Sequence, residues 1–227
     1  MIKAILFDMD DTLFDYTACC MNSVRNCFAE LLPGVYEDSM YETFNRTNRG
    51  MWKELEFGEI TREEYDRTRW KRILAALGFE YDDPMKFDAL YKKNMFNGSI
   101  LLAGVPELLE GLSGSHRLFV ATNGPTRQQY NRLEKAGIRR FFEHCFISDE
   151  MGVYKPNREY FERCLDIIGL EPEEILMVGD SLYADIEGAA NMGMKTCWVN
   201  RTGAVNTEEI HPDCEIRSPA ELVQVLS

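Results

Sequence analysis

A run of mostly apolar residues, Ile2-Lys3-Ala4-Ile5-Leu6-Phe7, leads straight into Asp8-Met9-Asp10-Asp11-Thr12. An apolar run without polar alternation is the pattern of a strand covered on both faces, which a parallel sheet requires. In an open α/β sheet ligands bind beyond the carboxyl ends of the strands. Asp8, Asp10 and Asp11 are therefore delivered to the edge where chemistry is done. Carboxylates this close repel one another, and each costs free energy to desolvate unless a cation sits among them. Such a cluster asks for a metal, although an acidic turn capping a helix uses the same residue types.

The following segment changes character. Between Thr17 and Asn97 the periodicity is helical and no strand is evident. Cys20, Val24, Cys27, Phe28 and Leu31 share one helical face that Pro33-Gly34 closes; Met40, Phe44, Thr47, Met51 and Leu55 mark a second. Thr61 with Glu64 has the spacing of a capping box for a third helix, carrying Trp70, Ile73, Leu74 and Leu77. Phe87, Leu90 and Tyr91 mark a fourth. Four amphipathic helices in succession predict a small bundle, residues 15–97, inserted after the first strand.

From Gly104 strands and helices alternate. Strands are expected at Leu118–Ala121, Cys145–Ile147, Ile175–Val178, Thr196–Val199 and Cys214–Ile216, with a helix before, between or after each. Alternation of this kind predicts a parallel sheet covered on both faces. The expected architecture is α/β: a three-layer, Rossmann-like parallel core from residues 1–14 and 98–227, interrupted by the helical bundle.

The residues just past each strand fall on one edge of such a sheet. The first strand gives Asp8 and Asp10, the next Thr122 and Asn123, and a later one Asp180, with Asp185 a helical turn beyond. Lys155-Pro156 stands on the loop after the intervening strand. Alone, each is ordinary: a solvated lysine, a turn, a helix cap. Together they suit phosphoryl transfer through an aspartyl-phosphate. Asp8 is the expected nucleophile, and Asp10 the acid for the leaving alkoxide and then the base for water. Asp8, the main-chain carbonyl of Asp10, and Asp180 are the oxygens expected to hold magnesium. Thr122, Asn123 and Lys155 are suited to phosphate oxygens, and Asp185 to orienting Lys155 or metal-bound water.

With 227 residues, 45% hydrophobic and 28% charged, the chain is ordinary for a globular protein. A formal charge of −13 argues against a nucleic-acid surface, and an anionic substrate then needs a metal or a placed lysine. No apolar run reaches the length of a membrane span, and no basic region precedes an apolar one at the N-terminus, so a cytoplasmic protein is expected; the expectation for assembly is a monomer or homodimer. The seven cysteines show no C-x-x-C spacing and read as small buried hydrophobes.

Asp8-Met9-Asp10-Asp11-Thr12, Thr122-Asn123-Gly124, Lys155-Pro156 and Gly179-Asp180-Ser181 with Asp185 resemble, in order and spacing, the four motifs of the haloacid dehalogenase superfamily. The resemblance implies a magnesium-dependent phosphatase acting on a small phosphomonoester, with the helical insertion as a type-1 cap that closes over the site and selects substrate. Thr122 to Gly137, with Gln128-Gln129 and Arg132-Leu133-Glu134, and Ser148 to Asn157 resemble more narrowly the bacterial pyrimidine 5′-nucleotidases. Sugar phosphatases, phosphomutases and 2-haloacid dehalogenases share the scaffold. A dehalogenase has no use for an acid at position 10, and a mutase needs cationic cap residues, for which Arg46, Arg49, Lys53 and Arg69 are available. A binding protein that merely kept the fold would not need both Asp8 and Asp10.

Overall fold

A computed structural model describes residues 1–207 and 209–226 and divides the chain into two compact units. One comprises Met1–Tyr16 with Ser99–Ser227, the other Thr17–Gly98.

In the first unit six strands, β1 (Ala4–Phe7), β2 (Arg117–Thr122), β3 (His144–Ile147), β4 (Ile175–Gly179), β5 (Lys195–Val199) and β6 (Cys214–Ile216), pair in parallel in the order β3-β2-β1-β4-β5-β6. Side chains alternate across a strand, and two apolar clusters divide accordingly. Ile5, Phe7, Leu118, Val120, Leu176 and Val178 enter one; Ala4, Leu6, Phe119, Ala121, Ile175 and Met177 enter the other. The uninterrupted apolar runs follow from this, because both faces of each central strand are covered.

The second unit contains four helices, α1 (Tyr16–Leu31, from its second residue), α2 (Met40–Glu56), α3 (Arg62–Ala76) and α4 (Pro84–Asn97). The capping box at α3 forms as its spacing predicts. Glu64 N donates to Thr61 Oγ1 at 3.1 Å, and Thr61 N donates to Glu64 Oε2 at 2.9 Å. Phe28 is the hub of an aromatic centre, with the rings of Tyr36, Trp70, Phe79 and Phe87 at 5.3–6.5 Å. Truncating Phe28 to alanine is expected to cost about 3–5 kcal/mol, read as a lower melting temperature. A loss below about 1 kcal/mol would show that the centre collapses to fill the space.

The polar residues of this unit correct the sequence reading. Helix α2 buries Asn48 where Thr47 was expected, and Asn48 Oδ1 accepts from Tyr65 Oη at 2.9 Å. Arg69, considered as a cationic group for substrate, is itself buried and paired with Asp88 beneath Tyr65 and Tyr91. Trp52 lies half-buried against Tyr65, 5.0 Å between ring centres, with the Arg62 guanidinium over it.

Back in the first unit, α5 (Val105–Leu112), α6 (Thr126–Lys135) and α7 (Arg158–Ile168) complete the layers. Leu109 of α5 and Leu133 of α6 join the cluster of Ile5 and Phe7, whereas Phe161 and Cys164 of α7 join that of Leu6. Six of the seven cysteines are buried and all are free thiols. Among the described residues no helix is long and apolar enough to cross a membrane.

Candidate active site

Strand register sets the site. Phe7 pairs with Val120 on one side and Val178 on the other, so the carboxyl ends of β1, β2 and β4 fall within two residues of one another on one edge. Asp8 is the next residue; its N–H continues the ladder to Val178 O at 2.9 Å. The three carboxylates that follow β1 then part company. Asp8 turns inward and is only 7% exposed. Asp10 pairs with Arg132, and Asp11, at φ +56°, pairs with Arg201 Nη1 at 2.7 Å.

Lys155 arrives from the loop before α7 and is buried. Its ammonium donates to Asp8 Oδ1 at 2.8 Å, Asp185 Oδ1 at 2.6 Å and Ala121 O at 2.6 Å. All three of its N–H bonds are thereby spent. Burial pushes the Asp8 carboxyl up to about 7, against the pull of Lys155 and with the help of the Asp185 and Asp10 charges. Burial works to lower Lys155 as well, but the Asp185 and Asp8 carboxylates outweigh it and hold the ammonium above its ordinary value. The lysine therefore stays charged, and the acids compete for it.

Asp185 reaches this cluster through a feature not legible in the sequence. The segment Leu182–Glu187, expected to open an ordinary helix, is a π-turn in which Ile186 N donates to Ser181 O at 3.2 Å. Single π-turns are rare and recur at functional sites. Here the turn brings Asp185 Oδ2 to Ser181 N at 3.1 Å. Gly179 permits the approach, since a Cβ there would lie 2.2 Å from Asp185 Oδ2.

The oxygens expected at the metal are the Asp8 and Asp180 carboxylates and the Asp10 main-chain carbonyl. Carboxylate oxygens of Asp8, Asp180 and Asp185 lie within 4.8 Å of one another, whereas the Asp10 side chain points elsewhere. The Lys155 ammonium pairs with Asp8 and Asp185 of this trio, and hard carboxylate oxygens are what a small divalent cation prefers. The donor set fits such an ion, with Asp185 in two roles, Lys155 partner and candidate ligand.

Thr122 ends β2 and Asn123 follows it. Thr122 is buried, and its hydroxyl oxygen accepts from Gln129 Nε2 at 2.9 Å and Gly124 N at 3.3 Å, which leaves its proton to donate. Asn123, expected at phosphate, uses both ends of its amide on the backbone of Lys155. Its Nδ2 donates to Lys155 O at 3.0 Å, and its Oδ1 accepts from Lys155 N at 2.9 Å. Through these bonds Asn123 braces the loop that carries the buried ammonium. The reading of site residues did not include Gln129 and Arg132, which lie inside α6 at a spacing of three and are both fully buried. In an isolated sequence polar residues at that spacing read as a solvated helix face.

Residues 5–199 match the model of the haloacid dehalogenase-like hydrolases. The chain is 34% identical over 226 residues to the putative HAD-hydrolase YfnB of Bacillus subtilis, covering 99% of this chain and 95% of that protein. It is 32% identical to the pyrimidine 5′-nucleotidase PynA of Streptococcus pneumoniae, covering 99% and 94%, and 31% identical to the pyrimidine 5′-nucleotidase YjjG of Escherichia coli, covering 98% and 96%. The crystal structure of YfnB bound to magnesium superposes with a TM-score of 0.91 at 33% identity, covering 100% of this chain and 99% of that one.

Proposed function

Since the chain belongs to the haloacid dehalogenase-like hydrolases and is an enzyme of phosphatase type, we propose that it is a magnesium-dependent phosphomonoester hydrolase acting on nucleoside 5′-monophosphates. The observation that carries this reading is the convergence of four distant segments on one sheet edge. Lys155 ties Asp8 to Asp185, with Asp180 in the same cluster.

Asp8 is the nucleophile in this reading. Lys155 fixes one of its carboxylate oxygens, and an oxygen of Asp8 attacks phosphorus in line with the leaving group. As the new O–P bond forms, the P–O bond to the nucleoside breaks, and Asp10 gives its proton to the departing oxygen. Asp10, now a carboxylate, takes a proton from water; the hydroxide attacks phosphorus, phosphate leaves, and Asp8 is regenerated. In this reading the Thr122 hydroxyl donates to a phosphoryl oxygen, and the Lys155 charge stabilises the negative charge that builds there. Asp8, Asp180 and Asp185, with the Asp10 carbonyl that the sequence suggested, would hold magnesium. When bound, the ion neutralises phosphate charge and screens Asp8 from it.

The helical unit is proposed as the substrate-selecting cap, and the free thiols suit a reducing, cytoplasmic setting. Two pyrimidine 5′-nucleotidases at 31–32% identity over nearly the whole chain support the substrate class. The test is phosphate release across nucleoside monophosphates, sugar phosphates and 2-haloacids. Preference for pyrimidine monophosphates supports the reading, whereas halide release without phosphate release overturns it. EDTA is expected to stop turnover and added magnesium to restore it. Full activity after exhaustive chelation would remove the metal from the reaction.

A further inference from the structure

Asp10 does not rest in the acidic cluster two residues away, and the structure shows what holds it apart. Arg132 Nη1 donates to its Oδ1 at 2.5 Å, and Gln129 Nε2 donates to its Oδ2 at 3.2 Å. The two donors are themselves coupled, Arg132 Nη1 to Gln129 Oε1 at 2.8 Å. The same Gln129 Nε2 reaches Thr122 Oγ1 at 2.9 Å, so one amide ties a side chain just past β1 to the last side chain of β2.

The surroundings make this clamp rigid. The Arg132 guanidinium lies over the Phe14 ring, 4.5 Å from its centre, and Ser99 Oγ donates to Arg132 O at 3.1 Å. A side chain on residue 124 would displace the amide, because a Cβ there would stand 2.1 Å from Gln129 Nε2. The arrangement is also expensive. Arg132 is completely buried, and among the described residues its Nε and Nη2 find no hydrogen-bond partner. A leucine at 132 would fill a helix-to-sheet interface at far lower desolvation cost. A cation is kept there, against packing, with one carboxylate as its ion-pair partner.

We infer that Gln129 and Arg132 are positioning residues for Asp10: they aim its carboxyl group at the leaving oxygen and keep it out of the Asp8–Asp180–Asp185 cluster. This rests on the reading of Asp10 as acid and then base given above. In the first half-reaction the Asp10 proton passes to the departing oxygen as the P–O bond breaks and the Asp8–phosphorus bond forms. In the second, Asp10 takes a proton from the attacking water. A misaimed Asp10 slows the first step only when the leaving group needs a proton, but slows the second whatever the substrate.

Single-turnover reactions with enzyme in excess separate these steps. The variants are Arg132→Met, Arg132→Lys, Gln129→Leu and, for comparison, Asp10→Asn; the substrates are para-nitrophenyl phosphate and a pyrimidine nucleoside monophosphate. Nitrophenolate leaves without a proton, so its release by Arg132→Met and Gln129→Leu is expected within about threefold of wild type, while phosphate release falls about 10²-fold. With the nucleotide, nucleoside release itself is expected to fall about 10²-fold, with KM within about twofold and Arg132→Lys recovering part of the loss. If Arg132→Met does not melt cooperatively, Gln129→Leu, of similar volume, carries the test.

Nitrophenolate and phosphate release falling by one common factor would reduce the clamp to general packing and overturn the inference. Wild-type rates in the clamp variants would overturn it too. Should Asp10→Asn show the split and the clamp variants not, only this inference falls. Should wild type release no phosphate from either substrate, the proposed function falls with it.

Discussion

Asp8→Asn is expected to fold as well as wild type and to release no measurable phosphate, a loss of about 10⁴-fold or more. The two halves of this expectation come from one environment. Burial, with the Asp185 and Asp10 charges beside it, pushes the Asp8 carboxyl up to about 7, so its negative charge is a burden on the folded state. Asparagine keeps the shape, removes that charge, and can still present an oxygen to Lys155, which stands 2.8 Å from Asp8 Oδ1. The melting temperature should therefore hold or rise. Chemistry is another matter, because an amide offers no carboxylate oxygen to form an acyl phosphate. Thermal denaturation and phosphate release on the same sample check both halves. Turnover within tenfold of wild type would place the nucleophile elsewhere, and a large drop in melting temperature would show that the charge stabilises the fold.

How far the sequence carries can be seen at the end of β1. The strand is legible because its apolar run serves two cores at once, and its end is legible because three acids interrupt it. Their separate fates are not. Asp8 joins Asp180 and Asp185, Asp10 goes to α6, and Asp11 goes to Arg201, almost two hundred residues away in sequence. Each partner lies on a segment whose approach depends on register and loop path, which local pattern does not encode. The same holds for Asn123. Its place after β2 is read correctly, but its amide is spent on the loop bearing Lys155, because a buried backbone needs partners as much as a substrate does. The α6 helix shows the limit most sharply. Tyr130, Leu133 and Ala136 mark its apolar face, and the structure packs all three against one core cluster. The polar pair beside them, Gln129 and Arg132, is buried as completely as Leu133, and only the third dimension supplies the reason.

Removing the lysine is expected to damage stability and activity together, in contrast to Asp8→Asn. Lys155 donates to two carboxylates and one main-chain carbonyl and is 2% exposed, so Lys155→Met strands three buried acceptors. Breaking a buried pair by deleting one partner costs about 3–5 kcal/mol, since the surviving charges are left uncompensated. For a chain of this size that corresponds to a fall of roughly 6–20 °C in melting temperature. Catalysis should drop by about 10³-fold, because both the hold on Asp8 and a positive charge near the phosphoryl oxygens disappear. The double variant Lys155→Met with Asp185→Asn distinguishes stranded charge from lost packing. Neutralising Asp185 takes away one of the orphaned carboxylates, so the double variant should melt above the single one while remaining inactive. If it melts lower still, Asp185 stabilises the fold through its bond to Ser181 N rather than through the ammonium, and the electrostatic account of this cluster fails.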